Sequence, residues 1–304
     1  MSSDSVLANA QAAYDILRRA RPREALKLLL PRQLRPPRVL NEGAPRSGDA
    51  AAPQVAELLR KITNRVKSEA IDAEKGVIDY KRLADSAAYR ELQAAARTLT
   101  LLRPGDFRTD EERIAFWLNL YNVLVIHGIV AFGVQGSVME IPTFFDRAAY
   151  RVGDWVFTPN EVEHGVLRRN RRDAITGRRS FRRDDPRAAF MPERLDPRVH
   201  MAMVCAARSC PPIAFYGPDR LDAQLSTASA NFVEHDLEID DARRVVRLSA
   251  IFKWYEEDFG GRPGLQKFLV RYAHDSDRGR LEEAFGDSYA LAFRRYDWTL
   301  NAAS

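Results

Sequence analysis

PRVHMAMVCAARSCPP, residues 197–212, is the stretch on which the reading of this chain turns. It holds both cysteines of the protein, Cys205 and Cys210, and one of its five histidines, His200. Positions 199–204 are apolar except for His200, and prolines bound the run at 197 and at 211–212. A short, bounded apolar run predicts a strand buried on both faces. Alternation along it would set His200, Ala202 and Val204 on one face and Met201, Met203 and Cys205 on the other. Cys205 is then expected in the core. Cys210 falls beyond the strand in an Arg-Ser-Cys-Pro-Pro turn, stiff because proline fixes its own φ and restricts its neighbour. A thiol on such a turn suits a reactive cysteine, and equally an inert one.

The partner for this strand is sought in residues 109–132. Thr109-Asp110-Glu111-Glu112 fits a capping box and predicts a helix running to about Phe132, ahead of Gly133. Positions 114–138 carry no charge, so the run is long enough for a membrane span. Asn119, Asn122 and His127 interrupt it, however, and unpaired polar groups are costly in lipid. With no second run of this kind, a central helix buried on all sides of a soluble core is expected, and no membrane span. Asn119 and Asn122 lie three apart on one helix face. They read either as buried amides holding neighbouring backbone or as the amide that orients a base in a cysteine enzyme.

The chain has 304 residues, 45% of them hydrophobic, which is enough for a substantial core. Its net charge of +5 is too small to imply nucleic acid. Two cysteines exclude a disulfide scaffold and suggest a reducing, cytoplasmic compartment, and no secretory signal is read at the N-terminus. Residues 1–57 are expected to be an N-terminal helix, split near Pro22, and a flexible Pro/Arg/Gly/Ala-rich linker. A globular domain follows over 58–304. The basic stretch before the linker is a candidate partner-binding helix.

Further helices are expected over 55–69, 80–102, 219–236, 251–259 and 265–273, with a strand over 245–248. Thr158-Pro159-Asn160-Glu161 is a second helix start. It leaves Glu163 and His164 without a structural role, with Arg168 one turn on from His164. Residues 168–198 hold eleven arginines against five acids. With only Phe181 and Phe190 interleaved, this segment reads as a solvated insertion of Arg/Asp pairs rather than a nucleic-acid surface. The chain has no phosphate-binding glycine loop, HExxH or CxxC, so no cofactor is expected.

The ordered strings FWLNLYNVLVIHGIV, EVEHGVLR, DPRVHMAMVCAARSCPPIAFYG, LSAIFKWYEEDFG and YDWTLN resemble the family called domain of unknown function 547, over about 76–301. The resemblance implies a domain and no reaction. The family's recurrent polar positions match Asn119, Asn122, Glu163, His164, His200, Cys205, Ser209 and Cys210.

The expected fold is α+β: a helix-rich single domain with a small sheet packed on a central buried helix. The leading functional expectation is a cysteine-dependent hydrolase or acyl-transfer enzyme acting on a small-molecule or peptide substrate. Cys210 would be the nucleophile, activated by His200 or His164. Glu163 or Asn119 would orient the imidazole, and amides of the Ser209-Cys210 turn would stabilise an oxyanion. The alternative is a non-catalytic interaction module whose polar residues lock the fold. A metal site of His164, His200, Cys205 and Cys210 is disfavoured, because His200 and Cys205 would face opposite sides of the strand.

Overall fold

The central helix forms as its end signals demand. In the computed structural model, which describes residues 36–45, 52–72, 77–173 and 176–303, it spans Asp110–Phe132. The Thr109 hydroxyl accepts from the Glu112 amide at 3.2 Å, and Gly133 closes the helix in the left-handed conformation that glycine adopts without strain. Every residue from Ile114 to Ile129 is buried. The helix is long and apolar enough to cross a membrane, but here protein covers it, with 89% of its most apolar window buried.

The elements in chain order are β1 (Arg38–Val39), α1 (Ala52–Ala70), β2 (Ile71–Asp72), β3 (Val77–Ile78), α2 (Tyr80–Asp85), α3 (Ala87–Thr98) and the central α4 (Asp110–Phe132). Then come α5 (Phe144–Arg147), β4 (Ala148–Val152), β5 (Trp155–Phe157), a π-helix (Glu161–Leu167) and a 3-10 turn (Pro197–Met201). The chain closes with α6 (Leu221–Asp236), β6 (Glu238–Asp240), β7 (Val245–Leu248), α7 (Ala250–Trp254), α8 (Gly261–Tyr272), α9 (Asp275–Gly286) and β8 (Ala290–Phe293). The helix expected over 80–102 is divided at Ser86, whose hydroxyl accepts from the Tyr89 amide and starts α3. The helix α9 was not foreseen.

Two apolar clusters result. One surrounds α4 and takes in α1, α3 and β4; the other lies among α6, α7, α8, α9 and β7. The expected architecture holds, but with a different sheet against the central helix. That sheet is β1-β4-β5, in which β4 and β5 are antiparallel and β1 joins β4 in parallel. Residues 199–205 form no strand. Asp196 caps Arg198 at 2.9 Å and Pro197 occupies the first helical position, so residues 197–201 coil into a 3-10 turn. An Asp-Pro start is a helix signal, and here it overrides a short apolar run that periodicity leaves ambiguous. The turn bridges the two clusters, placing Val199 in the first and Met201 in the second.

The reading of residues 1–57 falls largely outside the described residues. Within it, residues 38–41 are seated on the domain and α1 begins at Ala52. The buried Asn41 side chain donates to Ala96 O (2.7 Å) and Arg151 O (2.9 Å) and accepts from Arg151 N (2.8 Å). Replacing Asn41 by alanine is expected to cost about 2–3 kcal/mol, because backbone groups lose their partners where water does not reach. Urea titration of the full chain measures this; a loss below about 0.5 kcal/mol would mean that the seat is dispensable.

Candidate functional site

The π-helix places the first set of polar residues. Thr158 and Glu161 exchange capping bonds of 3.0 and 3.3 Å, as their order predicts. The helix is then wound wide, with Arg168 N bonding Glu163 O at 2.8 Å, and such windings are frequent at functional sites. Gly165 is required by packing, since a Cβ there would lie 2.4 Å from the Phe181 ring. Glu163, His164 and Arg168 are all buried and belong to an internal network.

Asp258 is the centre of that network. It receives Arg168 through two bonds (2.5 and 3.2 Å), Arg171 at 2.9 Å and His200 Nε2 at 2.9 Å. Burial works against its charge, but the bonds from His200 and Arg168 outweigh it and hold the carboxyl well below the usual range. Burial also drives the His200 imidazole towards neutrality, more strongly than Asp258 pulls it the other way. The His200 ring stacks on Tyr255 at 3.9 Å, and its buried Nδ1 has no hydrogen-bond partner among the described residues.

His164 is held at both nitrogens. Arg168 donates to Nδ1 at 2.8 Å, which leaves the proton on Nε2, bonded to Asp173 at 2.8 Å. Glu163 accepts from the Tyr255 hydroxyl at 2.5 Å and from the Tyr121 hydroxyl at 3.3 Å. Burial keeps both phenols protonated as donors.

The second set is the thiol turn. Cys205 and Cys210 are free and both partly buried, with their sulfurs 2.7 Å apart. The Tyr296 hydroxyl bonds each sulfur, at 3.2 Å for Cys205 and 3.1 Å for Cys210, and the Cys205 amide lies 3.1 Å from the Cys210 sulfur. Burial pushes the Cys210 thiol up, but bonds from the Cys205 thiol, Tyr296 and two backbone amides reverse this, leaving it below an ordinary thiol. The Cys205 thiol is raised by its bond to Cys210 and by burial. The turn doubles back through Ala206, at φ +66°, and the chain's last segment grips it: Arg208 N bonds Thr299 O, and Asn301 N bonds Ala206 O, both at 2.9 Å.

Several expectations change on this geometry. Cys205 sits in the turn beside Cys210 rather than on a buried strand. No hydrogen bond joins Cys210 to His200 or His164: His200 Nε2 goes to Asp258, and the His164 nitrogens go to Asp173 and Arg168. The carboxylates of Asp258 and Asp173 bond the imidazoles, and Glu163, foreseen as an orienting group, lies 3.8 Å from His164 Nδ1. Asn119 instead clamps the Tyr216 backbone with two 2.8 Å bonds. Asn122 holds Ala202 O (3.0 Å) and Val204 N (2.9 Å), shaping the approach to Cys205. Among the described residues, no three His, Cys, Asp or Glu side chains are gathered to hold a metal ion. The arginine-rich segment is largely exposed and carries Arg/Asp pairs, Arg187 with Asp185 and Arg198 with Asp196, as expected, while Phe181 and Phe190 anchor it in the core.

Sequence reasoning missed Tyr121, Asp173, Tyr255, Asp258 and Tyr296. A signal existed for two of the acceptors and donors at once: IFKWYEEDFG carries Tyr255 and Asp258. YDWTLN carries Tyr296.

Together these residues define a helix-rich α+β domain with a buried acid–base network and a separate paired-thiol turn. Residues 106–233 match the model of the family described as "Protein of unknown function, DUF547", the family that the motifs resemble. Three of the five strings lie inside the match, so Tyr255, Asp258 and Tyr296 are supplied from beyond it. No curated protein and no solved structure matches the chain.

Proposed function

We propose that the domain is a cysteine-dependent acyl-transfer enzyme or hydrolase with Cys210 as its nucleophile. The observation that carries this reading is the convergence of the Cys205 thiol, the Cys205 amide and the Tyr296 hydroxyl on the Cys210 sulfur. Donors aimed at a sulfur favour the thiolate, which is the reactive form. The thiolate attacks an acyl carbonyl and forms a thioester. The leaving group departs with a proton from Tyr296 or Cys205, and water or a second acceptor then takes the acyl group. Trp254, Tyr296 and Trp298 cluster with ring centres 4.7–6.1 Å apart, and Tyr296 bonds both sulfurs, so the cluster offers half-buried apolar surface to an acyl chain or a peptide side chain. The imidazoles are not needed for this activation. Because their bonds are internal, the structural role of the alternative reading suits Glu163, His164, His200 and Asn119.

Alkylation of the native full chain over a pH series, mapped by mass spectrometry, tests the nucleophile. Cys210 is expected to label first, at a rate that persists below about pH 7, where an ordinary thiol of pKa ~8.5 is mostly protonated. Tyr296→Phe should reduce that low-pH rate. Faster labelling at Cys205, or a Cys210 rate falling about tenfold per pH unit below roughly pH 8, would remove the assignment.

A further inference from the structure

We infer that Cys205 and Cys210 form a reversible dithiol–disulfide couple, so that the domain also carries out thiol–disulfide exchange with low-molecular-weight or peptide disulfides. This rests on the reading of Cys210 as the attacking thiolate and adds a role for Cys205 that acyl transfer does not require.

The geometry is the argument. The sulfurs stand 2.7 Å apart, and less than about 1 Å of closure separates them from a bond of ~2.05 Å. Neither cysteine lies in a strand or helix that would have to break; both lie in the short turn that reverses at Ala206. The last segment holds both sides of that turn, through Asn301 N to Ala206 O and Asp297 N to the Ser209 hydroxyl at 2.8 Å, so the backbone positions of the two thiols are fixed relative to one another. Tyr296 reaches both sulfurs and is placed to relay a proton between them. Donating a hydrogen bond to Cys210 does not require a sulfur this close to bonding range, and Cys205 is itself only partly buried.

The exchange balances in two steps. The Cys210 thiolate attacks one sulfur of a substrate disulfide, forming a mixed disulfide and releasing the other half as a thiolate, which takes up a proton. Cys205 then loses its proton, through Tyr296 or water, and attacks the Cys210 sulfur. The intramolecular disulfide forms and the second half of the substrate leaves as a thiol. The substrate disulfide is the two-electron oxidant, and a thiol such as reduced glutathione runs the sequence backwards.

The test uses the full chain equilibrated with graded ratios of oxidised to reduced glutathione, quenched in acid and digested. Arg208 lies between the cysteines, so trypsin separates peptide 199–208 from peptide 209–220 unless a disulfide joins them. The expected result is a joined pair that appears as the ratio rises and disappears as it falls. Cys205→Ser should trap glutathione on Cys210, on the order of tenfold more than Cys210→Ser traps on Cys205, because the thiolate attacks first. A wild-type chain that holds glutathione on Cys210 without forming the joined pair overturns the couple while leaving Cys210 as nucleophile. A Cys205→Ser chain that traps no glutathione and whose Cys210 also fails to alkylate below about pH 7 removes both readings.

Discussion

Replacing Asp258 by alanine is expected to lower the unfolding free energy by about 3–5 kcal/mol, because it strands buried cationic and polar groups without their acceptor. The carboxylate is the common partner of Arg168, Arg171 and His200, and the Arg168 and His200 side chains are almost wholly out of solvent. An arginine does not escape by losing its proton, so the loss of its anion is felt in full. Arg168 also positions His164, which ties Asp258 to the π-helix through one guanidinium. Urea titration of wild type and variant gives the difference directly. Converting the pair together, Asp258→Leu with Arg168→Met, should recover part of the loss, since an apolar replacement leaves no charge behind. A single-variant loss below about 1 kcal/mol would show that water or another group takes the place of the carboxylate.

Acidification from pH 7 to pH 4 is expected to remove about 3 kcal/mol of stability through His127 alone. Its imidazole is buried against Tyr150, with Nδ1 2.7 Å from the hydroxyl. Burial, helped by the Arg38 guanidinium, pushes its pKa down from 6.5 to about 4. In the unfolded chain the same group takes up a proton as the pH falls below about 6.5. The stability is therefore complete above that value and drains away as the pH approaches 4, where the folded protein is protonated too. His200, also driven towards neutrality by burial, acts in the same direction. Asp258 and Asp173 add a later stage. Their folded carboxyls titrate below the usual range, so the stability they give is present above about pH 4 and lost as the pH falls further. Urea titrations at half-unit pH steps resolve the two stages. His127→Gln should flatten the first while keeping a polar partner for Tyr150. A wild-type curve that is level from pH 7 to 4.5 would refute the assignment.

Much of the scaffold could be read from local chemistry. Thr109, Gly133 and the Thr158–Glu161 pair announce their helices through groups a few residues away, and those signals survive folding unchanged. The absence of charge over 114–138 marked the buried helix, and the polar exceptions within it marked side chains that must find partners. The partners themselves were hidden. Asn122 reaches Ala202 and Val204, and Arg168 reaches Asp258 ninety residues on; no local pattern specifies such distant pairs. The 199–205 run misled because a few apolar residues are buried equally well in a strand or a tight helical turn, and the Asp-Pro start decides between them. Glu161's cap is the same for an α-helix and a π-helix, so the wide winding that gathers Glu163, His164 and Arg168 left no trace in the capping signal. Cys210 stood out correctly as the turn thiol, but its neighbours came from a phenol 86 positions away and a cysteine assigned to the core.

The grip of the last segment on the thiol turn has a kinetic side. That segment also pairs with the other end of the domain: Ile78 N bonds Asn301 O at 2.8 Å, and Tyr80 bonds the Asn301 side chain across 221 positions of chain. Contacts of such separation form only after the intervening chain has been ordered, since closing a long loop costs entropy that local contacts do not incur. The thiol turn is accordingly among the last parts of the molecule to be completed, and until then Cys210 lacks the phenol that tunes it. Reactivity at this sulfur below about pH 7 thus reports completed folding, which pulses of thiol reagent at that pH during refolding would follow in time.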